Sequence, residues 1–416
     1  MKKILLIPTY YYLSNPLYSS LKEILDENYS FTYFFSKDST SLKSNLLNIS
    51  KLKVGSNFDK YVEIDAPLPW VYNEQKFNIR VRFINGFLKK VNYFFKLKRY
   101  VKQFITKINE ISPDYIVITS DLTISYRIIK KYFPKVKIII LQPCFLDFRD
   151  RELREIPVGI RIINNYFKGI LYPNQPYFGL ENKSTDKLLL FEDKFFEFYK
   201  DKRENIYKIF NPFFVKLNDQ IESLDIVKIK NKLSHIINID LKREIVIIYV
   251  SDYTSFHGVD IHNYTIESYI KLIKKFADKY TFIIKNHPRA GVKDFEKNFI
   301  GYKQVFFLNN EIEYNELLSV GNLNISINSN ASLESIVCGM PTINFLPLHL
   351  KENDHFKWLS YYGGEEANTY EDLELLLEKY LDDKNFFLNK LNEGRKKLVG
   401  TKEECKRSLL NAFESK

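Results

Sequence analysis

Short apolar runs alternate along the chain with longer stretches in which apolar residues recur at helical spacing. The runs are short enough for strands that are buried on both faces, and turn residues bound most of them. The predicted strands are 3–7, 31–35, 61–64, 115–119, 136–141, 244–250, 281–285, 304–308, 322–327 and 342–345. The predicted helices are 16–25, 77–110, 124–132, 215–236, 264–278, 313–319, 331–338, 370–381, 384–396 and 401–414. This β/α alternation predicts an α/β protein with doubly wound sheets.

The length of 416 residues favours two domains, because one hydrophobic core rarely extends over so long a chain. We expect two Rossmann-like domains whose strand ends face each other across a cleft. The predicted boundaries are 1–236 for the first domain, 237–385 for the second and 386–416 for C-terminal helices, the last of which is expected to cross back to the first domain. Residues 147–215 are expected to elaborate the first domain, with a helix near 192–209.

The composition is that of a globular chain with a basic surface: 45% of residues are apolar, 16% are aromatic and the net charge is +11. The charge has two explanations, a biased composition on a solvated surface or an anionic partner such as a nucleotide or a membrane. The basic residues are spread along the chain without a clustered motif, so we expect no nucleic-acid partner.

The 77–110 segment carries Lys89, Lys90, Lys98 and Arg99 between its apolar positions. This pattern fits a core-facing helix with a basic solvated face, or a basic aromatic surface near anionic lipid. The three cysteines show no C-x-x-C spacing, and no apolar run approaches the length of a membrane span. We therefore expect a cytoplasmic protein that can associate peripherally with the inner face of the plasma membrane.

The first chemical motif reads Lys-Asn-His-Pro-Arg at 285–289 and follows directly after the apolar run at 281–284. Its His287 can donate a hydrogen bond to a phosphate oxygen or protonate that oxygen as a leaving group departs. Arg289 and Lys285 can add positive charge. The competing interpretation is a histidine at a helix start that only satisfies nearby backbone groups.

The second motif begins at Ser326 and reads Ser-Ile-Asn-Ser-Asn-Ala-Ser-Leu-Glu, across the turn from a strand to a helix. Ser329 or Asn330 can cap that helix, and a capped helix end still attracts phosphate. The motif's candidate ligands for a phosphate or nucleotide are Asn328, Ser329, Asn330, Ser332 and Glu334. Glu334 can accept hydrogen bonds from ribose hydroxyls, or it can simply be an acid that stabilises the first turn.

Further candidates lie in loops that follow predicted strands. The loop after the strand at 244–250 offers Ser251, Thr254 and Ser255 as phosphate or hydroxyl ligands. In the first domain, Asp121 and Asp65 follow strands and could act as the base that activates an acceptor hydroxyl. The sequence gives no strong reason to prefer either aspartate.

Several absent motifs narrow the chemistry. The chain has no D-x-D triplet, so we expect no metal ion and no other cofactor. It also lacks the P-loop, the G-x-G-x-x-G fingerprint after the first strand and the G-x-S-x-G elbow, which disfavours ATPase, dehydrogenase and α/β-hydrolase functions.

The two motifs, with Glu-Leu-Leu-Ser at 316–319 and Cys-Gly-Met-Pro at 338–341, resemble the donor-binding half of a GT-B glycosyltransferase. Within that fold the chain is similar to bacterial surface-polysaccharide enzymes with His-Pro and serine motifs, which include capsule Kdo transferases, sialyltransferases and teichoic-acid glycerophosphotransferases. The resemblance covers residues 244–381. It implies that His287, Ser329 and Ser332 hold the donor phosphate. Families with paired glutamates keep the first acid where this chain has Ser326, so their mechanism is not implied here.

The resemblance implies a nucleotide-sugar glycosyltransferase that uses a CMP- or UDP-sugar and acts without metal on a hydroxyl of a surface glycan or lipid-linked acceptor. On this interpretation the first domain takes the acceptor and the second takes the donor. Alternatives are a nucleotide-sugar 2-epimerase, a CDP-glycerol-type polyol-phosphate transferase and, outside enzymes, an inactive scaffold or a nucleic-acid-binding protein.

Overall fold

A computed structural model of the chain describes residues 1–7, 11–36, 59–64, 82–119, 124–142, 186–201, 204–237, 239, 242–251, 259–286, 292, 295–308, 311–327, 329–347 and 358–415. These residues form two compact units. Unit 1 comprises the described residues up to Phe213 and those from Lys402 onward, and unit 2 comprises the described residues from Phe214 to Thr401.

Unit 1 contains a seven-stranded sheet. Its strands are β1 (Lys2–Ile7), β2 (Tyr29–Ser36), β3 (Lys60–Ile64), β4 (Tyr115–Ile118), β5 (Lys137–Leu141), β6 (Lys187–Leu190) and β7 (Ile206–Lys208). All neighbours pair in parallel in the order β3-β2-β1-β4-β5-β6-β7. Every residue of β4 and β6 is buried, as expected for parallel strands that are covered on both faces.

Four helices of unit 1 connect or flank these strands. They are α1 (Tyr11–Leu25), α2 (Arg82–Ile111), α3 (Ile124–Tyr132) and α4 (Asp193–Tyr199). The alternation of strands and helices, together with the parallel pairing, makes unit 1 a doubly wound α/β unit.

Unit 2 contains a six-stranded sheet of the Rossmann type. Its strands are β8 (Ile245–Val250), β9 (Thr281–Asn286), β10 (Val305–Phe307), β11 (Leu323–Ser326), β12 (Thr342–Phe345) and β13 (Glu365–Ala367). All pairs are parallel in the order β10-β9-β8-β11-β12-β13. Strands β9 and β10 therefore lie on one side of β8, and β11, β12 and β13 lie on the other, as in dinucleotide-binding folds.

The helices of unit 2 follow in chain order, beginning at the boundary between the units. They are α5 (Pro212–Glu222), α6 (Ile226–Ile237), α7 (Val259–Phe276), α8 (Tyr314–Val320), α9 (Asn330–Val337), α10 (Trp358–Tyr361), α11 (Tyr370–Asp382) and α12 (Lys384–Leu398). A 3₁₀ helix spans Phe295–Phe299.

The two faces of the unit 2 sheet differ in polarity. One face is apolar, and Phe345 on it packs against Tyr264 and Tyr269 of α7. The opposite face carries buried Asn324, Ser326, Thr342 and Asn344, and α9 covers it. The polar face needs hydrogen bonds from its covering helix, because buried polar atoms without partners are costly.

The C-terminal helix α13 (Lys402–Glu414) packs within unit 1. Phe413 joins Tyr29 and Tyr115, which begin β2 and β4, in a cluster with centroid separations between 5.5 and 5.9 Å. These contacts place α13 at the amino ends of the strands, away from the edge where α/β sheets bind ligands.

Two of the predicted helices differ from the helices in the structure. The predicted helix at 192–209 is wrong at its end, because α4 stops at Tyr199 and 206–208 form β7. The predicted helix at 215–236 is divided by a break at 223–225, so that α5 and α6 are separate. Among the helices that the structure describes, none is both long enough and apolar enough to span a bilayer.

Candidate functional site

The candidate site of unit 2 lies at the switch point of its sheet, where β8 and β11 are neighbours and the connections leave in opposite directions. Half-buried Ser251 follows β8, and Ile327 follows β11. In open α/β sheets the crevice at such a point takes the ligand, because the diverging connections leave the strand ends uncovered.

The amino terminus of α9 begins at this switch point. Ser329 is its N-cap residue: its backbone is extended, and its Oγ accepts a hydrogen bond from the N–H of Ala331 at 3.2 Å. A hydroxyl that accepts one hydrogen bond still has its own proton to donate. Among the described residues, no acceptor receives the backbone N–H of Asn330. Ser329 Oγ, Asn330 N–H and the helix dipole together form a site suited to an anion.

Ser332 lies one turn into α9 but is fully buried. Its hydroxyl lies 2.6 Å from the hydroxyl of Ser326, to which the amide of Asn324 also donates at 3.3 Å. A ligand would have to enter between α9 and β11 to reach this hydroxyl. Ser332 therefore joins the helix to the sheet, and we leave it out of the proposed ligand set.

Lys285 and Asn286 end β9 next to the switch point, paired with Tyr249 and Val250 of β8. Burial lowers the pKa of Lys285, while Glu311 and Glu313 act in the opposite direction. The carboxamide oxygen of Asn286 is buried and accepts no hydrogen bond in the part of the chain that the structure describes. This strand end therefore offers both a cation and an unsatisfied acceptor.

Glu334 lies in the second turn of α9 and is half-buried. Its Oε2 accepts a hydrogen bond of 2.5 Å from the hydroxyl of Tyr314, the first residue of α8. Burial raises the pKa of Glu334, and the hydrogen bond from Tyr314 acts to lower it. Among the described residues, the donor that holds this carboxylate is a neutral hydroxyl.

The remaining predicted site residues lie outside the described residues. They are His287, Arg289, Asn328, Thr254, Ser255, Asp121 and Asp65. Their proposed roles remain predictions from the sequence. The described residues of the His-Pro motif, Lys285 and Asn286, lie at the carboxyl edge of the sheet, which is the edge where the motif was predicted to act.

Sequence reasoning missed Tyr314, Tyr249 and Asn286 as components of this edge. A tyrosine at a helix start carries no motif, and the partner of Tyr314 lies on another helix. Asn286 belongs to the His-Pro motif, but the ligands predicted from that motif are its ionisable residues Lys285, His287 and Arg289. Strand register alone would have placed Tyr249 beside Lys285.

Unit 1 has a polar group of its own at the carboxyl edge of β5 and β6. Gln142 follows β5, and its side-chain oxygen accepts from the N–H of Phe191 at 3.1 Å. The Nε2 of Gln142 donates to Oε2 of Glu192, at 3.3 Å, and Glu192 is only 1% exposed. Burial raises the pKa of Glu192 well above its usual value, against the smaller effects of Gln142 and Lys208.

Among the residues that the structure describes, no group of three or more His, Cys, Asp or Glu side chains is placed to hold a metal ion. The expectation of a reaction without metal remains a prediction, since several candidate site residues are not described.

Two Rossmann-like units are the architecture of the GT-B fold, and solved structures with that fold match the chain. The UDP-GlcNAc 2-epimerase from Neisseria meningitidis bound to UDP-GlcNAc matches with a TM-score of 0.58 and 12% identity, over 99% of both chains. A glycosyltransferase from Rickettsia africae matches with a TM-score of 0.58 and 10% identity, over 100% of this chain and 99% of that one.

Anabaena HepE in complex with UDP matches with a TM-score of 0.58 and 10% identity over the whole of both chains. No protein-family model and no curated protein sequence matches the chain. At these identities the likeness shows the fold, and the chain has the GT-B fold of glycosyltransferases and 2-epimerases. The predicted α/β class with two Rossmann-like domains and the resemblance to GT-B proteins are confirmed at the level of the fold.

Proposed function

We propose that the protein is a glycosyltransferase that binds a CMP- or UDP-sugar on unit 2 and transfers the sugar to a hydroxyl of a glycan or lipid-linked acceptor. The observation that carries the proposal is the amino terminus of α9, which begins at the switch point with the Ser329 hydroxyl and with an Asn330 N–H that no described residue accepts. The donor phosphate is assigned to this helix end.

Different residues of unit 2 are assigned to different parts of the nucleotide. Ser329 and Asn330 hold a phosphate oxygen, and Ser251 lies at the adjacent strand end. Glu334 accepts from the ribose hydroxyls through its carboxylate. His287 protonates the leaving phosphate and Arg289 neutralises its charge, which are the roles that the sequence predicts for them. Asp121 or Asp65 is assigned to the acceptor hydroxyl on the same grounds.

The surface of α2 supports an acceptor at an anionic membrane. Phe95, Lys98, Arg99 and Lys102 are exposed and lie on one helical face, since their spacing is i, i+3, i+4 and i+7. Basic and aromatic side chains on one face suit the boundary between lipid headgroups and acyl chains. A lipid-linked acceptor is therefore proposed for this enzyme.

The proposal is tested by thermal-shift screening against UDP, CMP, GDP and CDP, a UDP-sugar, a CMP-sugar and CDP-glycerol. One nucleotide is expected to raise the melting temperature, because a ligand that binds only the folded state stabilises it. The shift should shrink in Ser329→Ala and in His287→Ala. Ser319→Ala, which removes a hydroxyl bonded to the carbonyl of Glu316 in α8, serves as the control. The absence of a shift with every nucleotide would overturn the proposal.

A 2-epimerase is the second candidate, favoured by the match over 99% of both chains to an enzyme of that activity. An epimerase needs no acceptor, whereas a transferase does. Incubation of the protein with UDP-GlcNAc alone, followed by NMR of the sugar, separates the two: an isomerised sugar in the absence of acceptor would select the epimerase.

A further inference from the structure

Tyr314 is held at the carboxyl edge of the unit 2 sheet by the start of α8. The N–H of Glu313, the residue before it, donates to Oε2 of Glu316 at 3.1 Å. Lys232 of α6 donates to the same oxygen at 2.6 Å. These bonds fix the first turn of α8, and with it the backbone from which Tyr314 projects.

The ring of Tyr314 packs edge-on against the ring of Tyr249, with centroids 6.3 Å apart and planes at 65°. Tyr249 is the penultimate residue of β8, so this contact ties Tyr314 to the strand at the switch point. Burial and the neighbouring carboxylate of Glu334 raise the pKa of Tyr314 far above the physiological range. Its hydroxyl therefore keeps its proton and acts as a permanent donor.

The carboxylate of Glu334 has two oxygens, and Tyr314 occupies Oε2. No second donor to this carboxylate is found among the described residues, and Oε1 is the oxygen that the proposal assigns to the ligand. A carboxylate on a freely rotating side chain would lose conformational entropy on binding a ligand, whereas one that is already held loses little. A held carboxylate can therefore discriminate between ligands with and without a hydroxyl.

We propose that Tyr314 is a positioning residue for ribose recognition, because its hydroxyl fixes the carboxylate of Glu334 with Oε1 directed at the ribose hydroxyls of the bound nucleotide. The inference rests on the proposed function, since it concerns a nucleotide at the same unit. Tyr249 supports Tyr314 through ring packing and does not touch the ligand.

The role predicts a change in specificity rather than a uniform loss of affinity. UDP and 2′,3′-dideoxy-UDP share the base and phosphates and differ only in the ribose hydroxyls. A hydrogen bond to a charged group favours UDP over the dideoxy analogue by about 10- to 100-fold in the wild type. Loss of the Tyr314 hydroxyl lowers that ratio by about three- to tenfold, because the carboxylate is no longer pre-positioned.

Isothermal titration of wild type, Tyr314→Phe, Glu334→Gln and the double variant with both nucleotides tests the inference. In Tyr314→Phe the affinity for UDP is expected to fall while that for the dideoxy analogue stays the same. The double variant is expected to show the same ratio as Glu334→Gln alone, because Tyr314 acts only through Glu334.

Tyr280→Phe is the matched control. The buried hydroxyl of Tyr280 donates to the carbonyl of Leu377 at 2.9 Å, and Tyr280 lies just before the amino end of β9, which is opposite to the edge of the candidate site. This variant should lower the melting temperature and leave the nucleotide ratio unchanged. If the wild type binds UDP, either of two results would overturn the inference. One is an unchanged ratio of UDP to dideoxy-UDP affinity in Tyr314→Phe, and the other is a ratio in the double variant below that of Glu334→Gln. A wild type that does not bind UDP overturns the inference as stated, and the wider nucleotide panel then decides the proposed function separately.

Discussion

Ser329 and Ser332 stand three residues apart in one motif, yet their surroundings assign them opposite roles. Ser329 caps α9, and no described residue accepts its hydroxyl proton, whereas Ser332 is fully buried against Ser326. Ser329→Ala should weaken nucleotide binding about three- to tenfold and cost about 1 kcal/mol of stability through the lost cap. Titration calorimetry measures the first effect and urea unfolding the second.

Ser332→Ala should instead lower the free energy of unfolding by about 1–2 kcal/mol, because Ser326 loses a buried partner, and should leave nucleotide affinity unchanged. Ser329→Thr keeps a hydroxyl at the cap and serves as the conservative control. If Ser332→Ala lost nucleotide affinity and kept its stability, the assignment of the two serines would have to be reversed.

Glu192 is expected to make the folding stability of the protein fall as the pH rises. Burial raises the pKa of Glu192, so the folded state binds a proton more tightly than the unfolded state does. The stability that this proton provides is present below the ordinary carboxyl pKa and is lost as the pH rises through the folded-state value. Glu192→Gln removes the ionisation and retains an acceptor for Gln142. Its melting temperature should exceed that of the wild type at pH 8, with a smaller difference at pH 5.

The control for this prediction is Asp193→Asn, at the adjacent residue, whose carboxylate is partly exposed and pairs with Lys208 at 2.6 Å. That variant should not show a stabilisation that grows with pH. Equal destabilisation of Glu192→Gln at both pH values would mean that the Glu192 carboxylate is charged and fully satisfied in the folded protein.

The sequence predicted which residue types belong to the site but not which of them are accessible. Ser326, Ser329 and Ser332 are chemically equivalent in the sequence, and only the packing of α9 on β11 buries two of them. Similarly, Glu334 was identified from its position, whereas its partner Tyr314 lies on another helix and could not be assigned without the fold.

At the scale of the element, a buried lysine binds the end of the C-terminal helix. Lys187 begins β6 and is 8% exposed, and its ammonium donates to the carbonyls of Ala412 and Phe413 at 2.8 and 3.2 Å and to Ser415. It thereby satisfies carbonyls that every helix leaves unpaired at its end. Lys187→Met should lower the free energy of unfolding by about 2 kcal/mol, because these carbonyls lose their donor. Urea denaturation measures this change.

Lys406→Met is the matched control on α13, since the partner of Lys406 among the described residues is the exposed carboxylate of Glu27. It should leave stability nearly unchanged, because a solvated ion pair contributes little. If the two variants proved equally stable, the carbonyls of α13 would have to be satisfied by water and the lysine would not hold the helix.

Elements with strong periodicity were predictable, and those that depend on a neighbour were not. The strands that became β8, β9, β11 and β12 read as apolar runs and were predicted within one or two residues. The strand β13 reads Glu-Glu-Ala, which carries no strand signal, and it exists because it pairs with β12. The same holds for β7, three residues paired with β6.

At the scale of the whole molecule, the sequence predicted two doubly wound units, because β/α alternation repeats in both halves. The structure divides the chain near residue 213, whereas the sequence placed the boundary at 236. Two helices, α5 and α6, lie between these positions, and their amphipathic pattern does not show which unit they pack on. Contacts of α6 with α8 decide the question in favour of unit 2.

The chain as a whole is basic, so binding to anionic vesicles could come from its net charge or from the exposed basic face of α2. The two causes can be separated by experiment. Reversal of Lys98, Arg99 and Lys102 to glutamate should reduce flotation with vesicles that contain 30% phosphatidylserine by tenfold or more, since each basic residue near an anionic surface contributes about 1 kcal/mol.

Reversal of Lys228, Lys274 and Lys303, three exposed lysines of unit 2, changes the net charge equally and should leave binding largely intact. Added salt should weaken wild-type binding, because surface charges are screened beyond the Debye length. Equal losses in both triple variants would show that net charge, rather than the face of α2, carries the protein to anionic lipid, and unchanged flotation in both would remove the membrane from the proposed function.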